Sequence, residues 1–143
     1  MSLCFDFITL SPAILEIINL DKKVCVKING VSMTPLIYPN RDSVILKKIT
    51  TELNVNDVVL VKDTSGRFYL HRIFSIENGL YTLNGDGEKV FQSGVNIENI
   101  VAIADSFIRK GKRINTYDKK YLRYVKLWRK LFPIRRYLLF FLR

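Results

Sequence analysis

"RFYLHRIFSIENGLYTLNGDGE" (Arg67–Glu88) sets the character of the whole chain. In an extended backbone, alternate side chains point to opposite faces. Phe68, Leu70, Arg72, Phe74 and Ile76 then share one face, and Tyr69, His71, Ile73 and Ser75 share the other. Asn78-Gly79 is a two-residue hairpin signal, because both residues tolerate the positive φ that such a turn demands. "LYTLN" (80–84) returns, and Gly85-Asp86-Gly87 turns the chain again. The stretch reads as a hairpin of two β-strands, with the chain's single histidine on the first and an aspartate in the turn that ends the second.

The same reading extends in both directions. "KKVCVKI" (22–28) alternates as a half-buried strand does. "DSVILKK" (42–48) and "DVVLVKD" (57–63) are short β-branched runs opened by Asp and preceded by turn residues. "NIVAIADSFI" (99–108) closes as another strand. Before these, Ser11-Pro12 reads as an N-cap and first helical position for a short helix to about Leu20. After them, Tyr121, Val125, Trp128 and Phe132 recur at steps of three and four, the period of a helix. The expected organisation is an N-terminal helical segment (1–21), a mostly β domain (22–115) and a basic amphipathic C-terminal helix or tail (116–143). A chain of 143 residues suits one domain with one modest core.

Charge is unevenly placed. The net charge is +10, but residues 116–143 hold nine Lys/Arg and one acidic residue. Such a basic end points to an anionic surface, and its apolar finish, "YLLFFLR" (137–143), suits a helix lying on an anionic membrane. No recognised nucleic-acid motif accompanies the charge, so nucleic acid is not an expected partner. No run approaches the roughly 20 apolar residues that span a bilayer. "FITLSPAILEIINL" (7–20), broken by Pro12 and Glu16, does not read as a signal peptide, which favours a cytoplasmic, peripherally membrane-associated protein. Cys4 and Cys25 show no metal spacing, and with one histidine a zinc site is not expected. Cys25 reads as a small buried hydrophobe, without a disulfide.

"NGVSMTPLI" (29–37) places Ser32 after a glycine turn and three residues before Pro35. A serine needs a base to take its proton and donors to hold an oxyanion. His71 is the available base and Asp86 the natural group to orient it. Triads are defined by geometry and roles rather than by order along the chain, so Ser, His, Asp is admissible.

Read together, "GVSMTPLI", "RDSVIL", "NDVVLV", "YLHRIFSI" and "YTLNGDG" resemble, in order, the motif series of the type I signal peptidases and related S24/S26 serine peptidases. The first resembles the Gly-x-Ser-Met-x-Pro nucleophile box. The next two resemble paired Gly-Asp turns, with Arg41 and Asn56 standing where the glycines would be. The fourth resembles the base box of the endoplasmic-reticulum and archaeal branch, where histidine replaces lysine. The likeness covers about Lys22 to Ile108. It implies a coiled β-sheet body of the signal peptidase/LexA type and a serine endopeptidase that cleaves a leader- or signal-like segment from an extended peptide. Ser32 would be nucleophile, His71 base and Asp86 the supporting acid, with Met33 and Pro35 shaping the turn and the wall of the substrate groove. No cofactor is implied. The branch's further aspartate, several residues on, finds Gln92 here. A non-catalytic peptide-binding module on the same fold, membrane-associated, is the alternative.

Overall fold

The computed structural model describes residues 4–6 and 12–142. Along these run β1 (Cys4–Asp6), α1 (Pro12–Asn19), β2 (Val24–Lys27), β3 (Ser43–Lys47), β4 (Val58–Lys62), β5 (Phe68–Glu77), β6 (Leu80–Asn84), β7 (Gln92–Val95), β8 (Ile100–Arg109), β9 (Lys112–Asn115), α2 (Lys119–Lys130) and α3 (Arg135–Leu142). The expected N-cap Ser11 lies outside the described residues. The chain is mostly β, as its alternating runs require. The strands form one sheet in the order β1-β2-β3-β8-β4-β5-β6-β7, with β9 beside β8. All pairings are antiparallel except β1 with β2.

The sheet buries both of its faces, which explains the unbroken apolar run in β4. Val58 and Leu60 join a core with Val26, Val44, Leu46 and Phe107, covered by Ile18 of α1 and by Tyr121 and Val125 of α2. Val59 and Val61 point the other way, to Ile73, Tyr81 and Leu83. Burying a Val or Leu side chain fully contributes about 1.5–3 kcal/mol. The β5–β6 hairpin turns on Asn78 and Gly79, both at positive φ (53° and 75°), as the Asn-Gly pair predicts.

The two Asp-opened strands share a device. Asp42 is buried and accepts from the backbone N–H of Tyr38 (2.8 Å) and of Lys110 (3.1 Å), while Arg41 grips both its oxygens. Asp57 accepts from the Asn54 N–H (2.8 Å), and Asn56 supplies a φ of 80°. Asparagine enters this left-handed region more readily than other non-glycine residues. At the other turn the positive φ falls on Asn40 (62°), one residue before Arg41.

Two expectations change. Cys4 and Cys25 are not free: they form a disulfide, because the parallel register of β1 on β2 sets them directly opposite each other. The basic C-terminal segment forms two helices, interrupted at Phe132–Ile134 where Pro133 stands, and the first is committed to the body. Tyr121, Val125 and Trp128 of α2 are buried against the sheet, so the Trp128 stripe is not available to a membrane. No helix among the described residues is long and apolar enough to cross a bilayer.

Candidate functional site

Ser32 sits in the compact turn that follows β2. Thr34 ties the turn, donating its N–H (3.1 Å) and its Oγ1 (2.8 Å) to the Val31 carbonyl. The Ile37 N–H closes on the Met33 carbonyl (3.1 Å), and the Thr34–Pro35 peptide is cis. Ser32 is half-buried at the edge of a small hollow of about 160 Å³, whose walls include Asn29, Gly30, Met33, Phe68 and Tyr69. Met33 belongs to the core and also lines this hollow. Pro35 shapes the turn but is not in this wall.

The Gly85-Asp86-Gly87 turn is brought against Ser32 through the backbone. The Gly87 N–H donates to the Ser32 carbonyl at 2.8 Å. Gly85 has no room for a side chain: a Cβ there would overlap the Ser32 carbonyl and Oε1 of Glu88. Only glycine allows this approach.

His71, mid-strand in β5 opposite Val59, reaches the same corner. Its Nε2 lies 2.7 Å from Oε1 of Glu88. Its ring packs on Tyr69, centroids 4.7 Å apart, and Tyr69 also walls the Ser32 hollow. Nδ1 of His71 is buried and has no hydrogen-bond partner among the described residues.

Asp86 does not reach His71. Its carboxylate takes a two-pronged bond from Arg72, Nε to Oδ1 and Nη2 to Oδ2, both 2.8 Å, and a third from the Tyr124 hydroxyl (2.7 Å). The indole N–H of Trp128 donates to the Asp86 carbonyl (2.8 Å). Nη1 of Arg72 donates to the Asn56 carbonyl (2.8 Å) and to the Tyr121 hydroxyl (2.9 Å). The reason is strand parity: His71 and Arg72 are neighbours on β5 and face opposite sides, and Asp86 lies on the arginine's side. Two residues later, Glu88 lies on the histidine's side. Burial works against the charge on Arg72, but the Asp86 carboxylate outweighs it and holds the guanidinium well above its usual range. Burial, and then the Asp86 charge, push the Tyr124 phenol upward, so it stays a neutral donor. This network ties α2 to the turn beside Ser32. Arg135 extends it into α3, donating to Asn84 Oδ1 (2.6 Å) and the Trp128 carbonyl (3.2 Å).

The structure bonds the Ser32 turn to the Gly-Asp-Gly turn, sets His71 against Glu88 at the end of that turn, and places Asp86 behind it as support; Ser32 and His71 form no hydrogen bond with each other. Glu88 and Tyr69 belong to the corner and were not among the expected residues. The available signals were an acid immediately after Gly-Asp-Gly and an aromatic two residues before the histidine on its own face. Among the described residues no group of three or more His, Cys, Asp or Glu side chains is placed to hold a metal ion. Comparison with protein-family models and with curated proteins returned no match.

Proposed function

We propose that this chain is a serine endopeptidase of the S24/S26 type that cleaves an extended, leader- or signal-like peptide. The observation that carries the reading is the corner itself: a histidine held by a carboxylate at 2.7 Å, next to a serine turn to which the Gly-Asp-Gly loop is bonded. An extended peptide would enter the hollow beside Ser32, between the chain following β2 and the start of β5. Nδ1 of His71 would take the Ser32 proton, and the Ser32 oxygen would attack the peptide carbonyl. Backbone N–H groups of the turn, that of Ser32 included, would hold the oxyanion. Glu88 would keep the imidazole in the useful tautomer and stabilise the imidazolium, the part first expected of Asp86.

Peripheral attachment to an anionic membrane fits α3, whose Phe140 and Phe141 are 80% and 83% exposed, with the exposed Arg136 one turn before Phe140. The Cys4–Cys25 disulfide favours an oxidising compartment on the far side of such a membrane over the cytoplasm to which the sequence pointed.

The test is acylation of Ser32 by a β-lactam-type or peptide-based inhibitor, read by mass spectrometry of the intact protein and its peptides. Labelling at Ser32 that disappears in His71→Ala supports the peptidase. No labelling in folded, vesicle-bound protein by any such reagent favours the non-catalytic peptide-binding module, for which the partnerless Nδ1 of His71 is the supporting observation.

A further inference from the structure

A second groove, of about 710 Å³, lies between the β8–β9 hairpin and the start of α2. Its floor is apolar, formed by Leu36, Ile114, Tyr121 and Tyr124. Its rim is cationic: Arg109, Lys110, Lys112, Arg113, Lys119 and Lys120, against one acid, Asp118. That acid is turned inward, accepting from the Asn115 N–H (2.8 Å). Arg113 pairs with Asp105 (2.9 Å), and the other five rim cations form no ion pair among the described residues. Unneutralised like charges gathered round an apolar floor repel one another, and an anionic ligand with apolar groups relieves that repulsion.

Two further observations say what kind of ligand fits. Strand β9 pairs only with β8 among the described residues, so the edge carrying Lys112, Arg113 and Ile114 offers backbone groups to an added strand. An acyl chain has nothing to pair with them. Leu36 of the floor is four residues beyond Ser32, so the groove flanks the turn of the proposed nucleophile.

We propose that this groove binds an extended acidic segment of a peptide, its Asp or Glu side chains meeting the rim and its alternate apolar side chains lying on the tyrosine floor. This deepens the peptidase reading by naming a substrate class, one with an acidic flank outside the cleaved bond, and it rests on that reading only for calling the peptide a substrate.

The experiment is fluorescence anisotropy with a short labelled peptide alternating Glu and Leu, against its Lys-for-Glu counterpart. Wild type, Ser32→Ala, Lys119→Glu/Lys120→Glu and Arg109→Glu/Lys112→Glu are compared. Acidic residues suit the first turn of a helix, so the change at Lys119 and Lys120 leaves α2 able to form. The expected result is binding of the Glu peptide alone, unchanged in Ser32→Ala, weakened about tenfold or more in both charge reversals, and reduced by salt. Equal binding of the two peptides, or undiminished binding in folded reversal variants, overturns the proposal. So does binding of phosphatidylglycerol vesicles, lost in the same reversals, with no binding of the Glu peptide: the groove is then a lipid site. Loss of Ser32 acylation with peptide binding intact counts against the peptidase alone. Intact acylation without peptide binding counts against the groove alone.

Discussion

Nε2 of His71 and Oε1 of Glu88 lie 2.7 Å apart, on the side of the β5 strand opposite the Arg72–Asp86 pair. Two acids two residues apart thus serve two different partners. One holds an imidazole beside the surface, and the other neutralises a buried guanidinium.

On the proposed peptidase reading Glu88 is a positioning residue, so its loss should strike turnover rather than binding. In Glu88→Gln, kcat on a cleavable peptide is expected to fall about 10²-fold or more while KM changes little. Glu88→Asp should recover part of the loss, which a purely structural role would not give. A rise in KM at unchanged kcat would place Glu88 in the substrate groove instead.

Asp86→Asn should be a folding variant before it is a catalytic one. It leaves the buried Arg72 guanidinium without its counter-charge, which typically costs about 3–5 kcal/mol. Tyr124→Phe removes one hydrogen bond to the same carboxylate, at about 1–3 kcal/mol. Urea unfolding followed by circular dichroism reads both. A wild-type midpoint in Asp86→Asn would show that the network is not holding α2 to the sheet.

Gly85→Ala tests the close approach of the two turns. The added methyl overlaps the Ser32 carbonyl and the Glu88 carboxylate, so the Gly-Asp-Gly turn must move away from Ser32. Overpacking of this kind costs about 1–3 kcal/mol. On the peptidase reading activity should fall by more than that destabilisation explains, because the methyl meets both the Ser32 carbonyl and the Glu88 carboxylate that faces His71. Gly66→Ala, whose Cβ would meet nothing within 4 Å but whose φ of 86° strains any L side chain, is the comparison: it costs stability without touching the Ser32 turn.

Asp42 should shape the acid side of the stability profile. Burial alone would raise its carboxyl, but Arg41 and the N–H groups of Lys110 and Tyr38 outweigh burial and hold it below its ordinary value of 3.8. A carboxylate lowered by folding adds stability that is fully present above the unfolded value and disappears as pH falls through the folded one. Asp42→Asn should therefore be less stable than wild type at neutral pH, and the gap should narrow as pH drops below 3.8. Thermal melts across that range provide the check. A gap that stayed constant would mean that the Asp42 charge contributes nothing.

The exposed end of α3 predicts where a membrane would be met. Phe140→Ser/Phe141→Ser removes two side chains that are 80% and 83% exposed and pack edge-to-face on each other. Sedimentation with anionic vesicles should lose most of the bound protein, while folding stays unchanged. Trp128→Phe should instead lower stability, since the indole is buried and bonded to the Asp86 carbonyl. Equal vesicle binding by wild type and the double variant would remove α3 from the membrane reading.

Period-two alternation, Asn-Gly and the Asp-opened runs determined six of the strands and the long hairpin, because burying one face of a strand writes itself into every second residue. The turn that carries Ser32 and the strand position of His71 were legible for the same local reason. The short strands β1, β7 and β9 were not: "QSGV" and "KRIN" carry little apolar signal, and they are held by pairing with a neighbour rather than by burial of their own. Pairing also decided the Cys4–Cys25 bond, since two cysteines apart in sequence become partners only once β1 lies in register on β2. The tertiary structure alone chose between Asp86 and Glu88. Asp86 lies within the Gly85–Gly87 turn and Glu88 directly after it, and sequence proximity favoured the first. Opposite faces of β5 carry His71 and Arg72, and the path of the chain after β6 assigns each acid to its face. Charge showed a basic C-terminal end, but only the packing of α2 against the sheet separated the lysines that rim a groove from the aromatics of α3 left facing outward.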